Sequence, residues 1–259
     1  MTAPQVVVYP DADVLAAACA ARMVTTLTDV QSATGSASVV LTGGGIGIAV
    51  LDALRRCAAR DAIDWGRLDV YWGDERFVPR DDGERNEKQA REALLDHVDV
   101  DPGRIHAMPP SDGWCGDDVG AAAAWYAEVL DRQARGEHRT GAPMFDLLLL
   151  GVGGEGHVAS IFPSSPAARD TDHLVTAVRD CPKPPPTRVS LTLPAIRLAR
   201  EVWIVTAGEA KADVLAAAYT GADEVNLPVA GARGRSRTRW LLDAGAASAL
   251  PELDQTHLL

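Results

Sequence analysis

The chain has 259 residues, 47% of them hydrophobic, and a formal net charge of −11 at pH 7. This length and composition can bury a sizeable core, so we expect residues 1–259 to form a single domain. The negative charge would repel the phosphates of a nucleic acid, which argues against broad nucleic-acid binding. No basic leader and no run of about eighteen apolar residues occurs, so we expect a cytoplasmic protein with no membrane span.

The four cysteines lie far apart and form no C-x-x-C pair. This spacing disfavours a zinc site, and in a reducing compartment it favours free thiols over disulfides.

Strand and helix patterns alternate along the chain, which is typical of an α/β fold with a mostly parallel, Rossmann-like sheet between helical layers. Extended segments are predicted at Gln5–Tyr9, Ser38–Thr42, Leu68–Trp72, Phe145–Leu150, Arg188–Leu191, Glu201–Thr206 and Thr238–Asp243. Helices are predicted at Asp11–Asp29, Ile46–Arg60, Asn86–His97, Asp117–Arg135 and Glu209–Tyr219, followed by a short Ala-rich helix after the last strand.

A first glycine cluster follows the second predicted strand, where Thr42, Gly43, Gly44 and Gly45 lead into a helix. The free backbone N–H groups at such a helix start can bind a phosphate. The G-K-[ST] ending of a nucleotide-binding P-loop is absent, and a plain tight turn is the simpler alternative.

A second polar cluster, Asp74, Glu75 and Arg76, follows the third predicted strand. Open α/β sheets bind ligands at the carboxyl ends of their strands, so this cluster is a candidate site, with surface ion pairing as the alternative.

The third cluster places His157 after the buried strand Phe145–Leu150 and the glycines Gly151, Gly153 and Gly156. The glycines match G-x-G-x-x-G, but prolines beginning at Pro163 end any helix too early for a dinucleotide site. An imidazole here can act as a general base near neutral pH, although a packing or capping histidine is the alternative. The remaining histidines have helix-end, loop or terminal contexts: His97, His106, His138, His173 and His257. In a parallel sheet these three loops would meet on one rim.

The order of these blocks resembles the 6-phosphogluconolactonase family. The blocks are T-G-G-G, W-G-D-E-R, G-x-G-x-x-G-H-x-A-S-x-F-P, R-x-S-L-T-L-P and a later E-A-K, and they span nearly the whole chain. The resemblance implies a sugar-phosphate isomerase/deaminase-like fold. It also implies hydrolysis of 6-phospho-D-glucono-1,5-lactone to 6-phosphogluconate in the oxidative pentose phosphate pathway, without metal or organic cofactor.

The resemblance also implies roles for single residues. His157 is the expected general base, and Arg76 is expected near the reacting lactone. Asp74 or Glu155 would orient the imidazole or contact the sugar hydroxyls, and the sequence does not decide between them. The remaining expected substrate and phosphate contacts are Thr42, Gly43, Gly44, Gly45, Glu155, Gly156, Arg188 and Lys211. We expect a small-molecule sugar phosphate as the ligand of a monomer or weak homo-oligomer.

The chain departs from the family pattern at four positions. Gly45 and Ile46 stand where the family usually has hydroxyl residues, so the phosphate contact would depend more on backbone N–H groups. Glu155 replaces a commoner aspartate and Val158 a commoner threonine.

Two other functions are open at this stage. Glucosamine-6-phosphate deaminase is similar in fold, but it uses a carboxylate shortly after its G-H motif, and Phe162 stands five residues after His157. A sugar-phosphate sensor of a bacterial regulator would normally carry a helix-turn-helix, and the strand pattern beginning at Gln5 leaves no room upstream for one.

Overall fold

The computed structural model describes residues 4–136 and 145–251, with side chains from 133 to 136 left undescribed. Within these ranges the strands are β1 (Gln5–Tyr9), β2 (Ala37–Leu41), β3 (Leu68–Trp72), β4 (Asp74–Arg76), β5 (Phe145–Leu150), β6 (Val175–Val178), β7 (Arg188–Leu191), β8 (Ala199–Thr206) and β9 (Arg237–Asp243). The α-helices are α1 (Ala12–Thr34), α2 (Gly44–Arg56), α3 (Asn86–Ala93), α4 (Val119–Gly136), α5 (Pro166–Arg169), α6 (Leu193–Ile196), α7 (Ala212–Tyr219) and α8 (Ala244–Ala247).

The main sheet has six strands in the order β1-β9-β8-β5-β2-β3, and every neighbouring pair is parallel. The predicted α/β fold with a mostly parallel sheet is therefore confirmed. The chain leaves β2 toward β3 on one side, whereas β5, β8 and β9 extend the sheet on the other. The boundary between β2 and β5 is a topological switch point, where open sheets of this kind bind ligands.

Both faces of the main sheet are buried, as the apolar run of β5 predicts. Successive side chains point to opposite faces of a strand, and here Leu147 and Leu149 enter one core while Leu148 and Leu150 enter the other. The first core also takes side chains from α1, α2 and α3, and the second takes side chains from α4 and α7. The sheet thus lies between two helical layers.

A second sheet of three antiparallel strands, in the order β4-β7-β6, was not predicted from the sequence. The predicted extended segment Arg188–Leu191 is a strand, but it belongs to this smaller sheet. Its register places Arg76 opposite Arg188 and Asp74 opposite Ser190. Two polar clusters far apart in sequence therefore meet across one pair of strands.

Local capping explains where the long first helix begins and ends. The Asp11 side chain accepts a hydrogen bond from the Val14 N–H at 2.8 Å, and Gly35 ends the helix with a left-handed φ of 85°.

In residues 4–136 and 145–251, no helix is long and apolar enough to cross a membrane.

Candidate active site

A pocket of about 560 Å³ opens at the carboxyl ends of β2, β5 and β8, at the switch point of the main sheet. All three predicted loops contribute to its wall. The described lining is Ala12, Asp13, Thr42, Gly43, Gly44, Gly45, Ile46, Ala49, Asp74, Arg76, Asn86, Gly151, Val152, Gly153, His157, Ala159, Lys183, Pro184, Arg188, Val205, Thr206, Ala207 and Lys211.

The first glycine loop forms the floor of the pocket around the start of α2. Gly43 is the residue before the helix, and Gly44 has a φ of 81°, which favours glycine. The first N–H groups of a helix have no partner within it, so they are available to an anionic group. The Thr42 hydroxyl accepts a hydrogen bond from the Gly151 N–H at 3.3 Å and ties this loop to the loop after β5.

His157 lies on the pocket wall with 15% of its side chain exposed. Its ring stacks on Phe162, with the centroids 4.5 Å apart. Burial lowers the pKa of His157 below its usual value, and the nearby Glu155 carboxylate only partly opposes this shift. The neutral imidazole, which can accept a proton, is therefore favoured.

Glu155 lies behind the imidazole, outside the pocket lining. Its Oε1 is 3.2 Å from His157 Nδ1, and its Oε2 accepts a hydrogen bond from Lys183 Nζ at 2.9 Å. Nδ1 is buried and not aligned for a hydrogen bond with any described residue. Partial burial favours a higher pKa for the Glu155 carboxyl, but the hydrogen bonds from Lys183 and from the backbone N–H of Glu155, together with the nearby positive charges, outweigh it and the pKa is lowered. Asp74 and Glu155 were the two candidates to orient the imidazole, and Glu155 is the one that lies beside Nδ1.

Asp74 is held by other groups. It is buried, its Oδ2 accepts a hydrogen bond from the Ser160 hydroxyl at 2.6 Å, and Arg188 Nη1 lies 3.8 Å from the same oxygen. The Ser160 N–H donates in turn to Ser190 Oγ at 3.1 Å. These contacts join the loop after β5 to the small sheet, and they place a carboxylate and a guanidinium side by side on the wall.

Arg76 is fixed by acceptors just before α3 and at its first residue. Its Nη1 donates to the Glu84 carbonyl at 2.9 Å and to Asn86 Oδ1. Asn86 Nδ2 donates to the Asp74 carbonyl at 2.8 Å, and the Asn86 side chain lies so close to Gly43 that a Cβ there would collide with it. Asn86 thus connects the glycine loop, the Asp74 backbone and the Arg76 guanidinium.

Glu75 points away from the pocket and supports it from within. Its buried carboxylate accepts hydrogen bonds from the N–H groups of Arg76, Asn86 and Glu87 at 2.8, 2.7 and 2.9 Å. Burial raises the pKa of Glu75 to about 7, against the opposing effect of Arg85 and of these three amides. Glu75 therefore fixes the start of α3 relative to β4.

Arg188 and Lys211 differ in how much of their hydrogen-bonding capacity is in use. Arg188 is buried, and its Nε and Nη2 donate to the carbonyls of Pro185, Lys183 and Pro184 at 3.0, 3.1 and 3.3 Å. Lys211 lines the pocket just before α7, and no described residue accepts a hydrogen bond from its ammonium. The Lys211 charge is therefore available to a ligand.

The structure brings most of the predicted site residues into one pocket. Glu155 and Gly156 are not part of its lining; Glu155 is behind the imidazole, and Gly156 takes a left-handed φ of 85° and packs against Leu227. His157 lines the pocket, unlike the three other histidines in the described ranges, while His138 and His257 lie outside those ranges.

Several lining residues were not predicted from the sequence, and two of them, Lys183 and Asn86, make hydrogen bonds to predicted site residues. Lys183 lies in the proline-rich run from Pro182 to Pro186, which reads as an irregular segment. Asn86 was predicted only as the first residue of a helix. Neither residue belongs to a sequence motif that indicates a chemical role.

All four cysteines lie in the described ranges and are free thiols, with Cys19 and Cys181 buried and Cys57 and Cys115 half-buried. Within residues 4–136 and 145–251, no group of three or more His, Cys, Asp or Glu side chains could hold a metal ion.

Comparison of the sequence with models of protein families identifies a matching family. Residues 10–240 match the model of the glucosamine-6-phosphate isomerases/6-phosphogluconolactonase family. The chain belongs to this family.

Family members of known name include close relatives. The chain is 57% identical over 248 residues to the 6-phosphogluconolactonase of Streptomyces coelicolor, which covers 96% of this chain and 95% of that protein. It is 51% identical over 244 residues to the 6-phosphogluconolactonase of Mycobacterium tuberculosis, covering 94% of this chain and 97% of the relative.

Solved structures of the family share the fold. The 6-phosphogluconolactonase of Trypanosoma brucei superposes with a TM-score of 0.81 at 27% identity, covering 96% of this chain and 99% of that one. A monomeric glucosamine-6-phosphate deaminase superposes with a TM-score of 0.76 at 18% identity, over 95% of this chain and 99% of that one, which shows the fold alone.

Proposed function

We propose that this protein hydrolyses 6-phospho-D-glucono-1,5-lactone to 6-phospho-D-gluconate, as a 6-phosphogluconolactonase of the oxidative pentose phosphate pathway. The observation that carries the proposal is the composition of one pocket. The His157 imidazole, whose pKa is lowered, faces the same cavity as the start of α2 and four cationic side chains, Arg76, Lys183, Arg188 and Lys211.

The chemistry requires a base, a group that stabilises negative charge on the carbonyl oxygen, and a clamp for the phosphate. In the proposed reaction, His157 removes a proton from a water molecule as its oxygen attacks the lactone carbonyl carbon. The ring C–O bond then breaks, and the imidazolium returns the proton to the departing ring oxygen. Because Nδ1 is buried beside Glu155, Nε2 is the nitrogen that would take the proton.

Arg76 is proposed to stabilise the developing oxyanion. The N–H groups of the Thr42–Gly45 loop, with Lys211 and the free edge of Arg188, are proposed to bind the phosphate. Backbone N–H groups can do this without the hydroxyl residues that Gly45 and Ile46 replace. In a chain of net charge −11, this local cluster of cations would attract a dianionic substrate.

The deaminase alternative is less well supported by the site. A deaminase would need a carboxylate shortly after its G-H motif. In this chain the corresponding residue is Phe162, and its apolar ring stacks on the His157 imidazole. No proton carrier is therefore supplied from that position.

The test is direct measurement of lactone consumption by the wild type, by His157→Ala and by His173→Ala. We expect His157→Ala to lose at least about a hundredfold in turnover, the low end for removal of a general base. The His173 side chain is 72% exposed and, among the residues the structure describes, forms an ion pair only with Asp170, so its replacement is the matched control and should leave turnover unchanged.

Two outcomes would contradict the proposal. Release of ammonia from glucosamine 6-phosphate, without lactone hydrolysis, would favour the deaminase. Binding of sugar phosphates without turnover of any of them would favour a sensor.

We further propose that residues 1–259 act as one catalytic domain, in the cytoplasm, as a monomer or weak homo-oligomer. Sedimentation velocity over a range of protein concentrations tests the oligomeric state, and a stable high-order assembly would contradict it.

A further inference from the structure

Lys183, Glu155 and His157 form a continuous chain of contacts at one side of the pocket. Lys183 Nζ lies 2.9 Å from Glu155 Oε2, and Glu155 Oε1 lies 3.2 Å from His157 Nδ1. The two contacts use different oxygens of the same carboxylate. The carboxylate therefore bridges the ammonium group and the imidazole.

The backbone of Lys183 is fixed by a buried group. Arg188 donates to the carbonyls of Lys183, Pro184 and Pro185, and the Cys181 N–H donates to the Pro186 carbonyl at 3.0 Å. Prolines restrict φ and reduce the conformational freedom of this loop further. The backbone that carries the Lys183 ammonium group is thus held in place by hydrogen bonds, although 44% of the Lys183 side chain is exposed.

Glu155 needs such a partner to stay beside the imidazole. About a third of its side chain is exposed, and in the described residues Lys183 is the side chain that donates a hydrogen bond to it. Without that bond, solvation and side-chain entropy favour a carboxylate that turns toward water. His157 Nδ1 would then lose its neighbour.

We propose that Lys183 is a positioning residue that acts through Glu155, holding this carboxylate against Nδ1 so that Nε2 of His157 faces the reacting water. This inference rests on the proposed lactone hydrolysis. The Nδ1–Oε1 contact is not aligned in the free protein, and catalytic hydrogen bonds commonly tighten only when substrate is bound.

Three charged groups act on the imidazole. Glu155 and Asp74 each raise the pKa of His157, whereas Lys183 lowers it, and burial has the largest effect of all. Loss of Lys183 removes its own lowering effect, but it also releases Glu155, whose raising effect on the pKa of His157 is larger, so the acidic limb of the pH–rate profile should move to lower pH. Loss of the Glu155 charge should also move it to lower pH.

The first experiment compares Lys183→Met, Lys183→Arg and Lys88→Met in the lactone assay across pH. Lys88 is a half-buried lysine on α3, outside the pocket lining, that donates to the Asp81 carbonyl, and it is the matched control. For Lys183→Met we expect kcat to fall by about tenfold, which corresponds to about 1.4 kcal/mol, and the acidic midpoint to fall. Lys183→Arg should restore most of kcat and the wild-type midpoint, and Lys88→Met should match the wild type.

The second experiment asks whether Lys183 acts through Glu155. On a Glu155→Gln background, Lys183→Met should cause less than about a twofold further loss of kcat, because coupled residues are not additive. An undiminished tenfold loss on that background would overturn the proposal. So would a Lys183→Met variant with raised KM but unchanged kcat and midpoint, because Lys183 would then be only a substrate contact.

A measurement without turnover separates this proposal from the proposed function. NMR titration of the His157 ring, assigned with His157→Gln, should show a lower pKa in both Lys183→Met and Glu155→Gln than in the wild type. If the wild type does not hydrolyse the lactone, the proposed function fails, while these shifts still test the contact chain. Unchanged His157 titration in both variants would refute the contact chain itself.

Discussion

His157 lies in surroundings that favour its neutral form. Most of the ring is covered by Phe162 and the glycine turn, and burial is the largest influence on its pKa. Glu155 opposes this effect but does not cancel it, because Lys183 neutralises part of its charge. The result is an imidazole that can accept a proton at and below neutral pH.

The wild-type pH–rate profile should reflect this. A base must be unprotonated to act, so kcat/KM should be constant at neutral pH and fall as the pH drops through the pKa of His157. Because that pKa is lowered, we expect the midpoint below the ordinary histidine value of about 6.5. Initial rates measured from about pH 5 to about pH 8 test this, and a midpoint above the ordinary value would contradict the assigned environment.

Gly153 is required by the position of the imidazole. A Cβ at Gly153 would collide with His157 Nδ1 and Cε1, whereas a Cβ at Gly154 would meet its nearest atom, Lys211 Nζ, at 3.7 Å. We expect Gly153→Ala to lower kcat by about tenfold or more through displacement of the ring, since small misplacements of catalytic groups are costly. Gly154→Ala is the matched control and should remain within about threefold of the wild type in the same assay.

At the scale of elements, the buried Glu75 carboxylate makes three of the hydrogen bonds that fix β4 and the start of α3. The Glu75 side chain accepts from two amides at the start of α3 and from the Arg76 amide. This arrangement orients both Arg76 and Asn86 toward the pocket. Loss of acceptor capacity here would disturb two wall residues at once.

Glu75→Gln should therefore reduce stability and activity together. Its amide NH2 would face an N–H donor, and a buried unsatisfied donor costs about 1–3 kcal/mol. Glu92→Gln, an exposed replacement on the same helix, should change the free energy of unfolding by less than about 0.5 kcal/mol. Chemical denaturation of both variants measures the difference, and equal stabilities would refute the role of Glu75.

The strands of the main sheet were predictable because each contains several apolar residues in a short segment. β1, β3 and β5 have the predicted bounds. The small sheet was not predictable in the same way, because β4 has three polar residues and β6 has four residues, too few to show a period. The helix predicted at Asn86–His97 ends at Ala93, and a 3-10 turn follows at Leu95–His97.

The candidate site was predictable only where the residues that carry its chemistry lie close together in the sequence. The glycine turn before His157 and the start of α2 carry such signals. The roles of Lys183 and Asn86 depend on contacts with residues 28 and 10 positions away. Contacts of this kind are set by tertiary packing, which no local pattern encodes.

At the scale of the whole molecule, the pocket joins the two sheets. The main sheet supplies the glycine loop and His157, and the small sheet supplies Asp74, Arg76 and Arg188. A ligand bound between them would contact both. Its binding energy should therefore add to the stability of the assembled fold.

We accordingly expect the product, 6-phosphogluconate, to raise the unfolding temperature. Saturation at a hundred times Kd would add about 2.7 kcal/mol to the free energy of unfolding. Gluconate, which lacks the phosphate, should have no measurable effect at the same concentration, and Lys211→Met should weaken the response to the product. Differential scanning calorimetry measures these shifts, and equal stabilisation by both compounds would contradict the proposed phosphate clamp.

The pairing of Arg76 with Arg188 also limits how the gene can change. Side chains alternate along a strand, so inserting one codon within β4 or β7 would turn a guanidinium to the opposite face. Insertions in turns outside this ladder leave the alternation intact. Insertions and deletions that preserve the activity should therefore occur in those turns and not within β4 or β7.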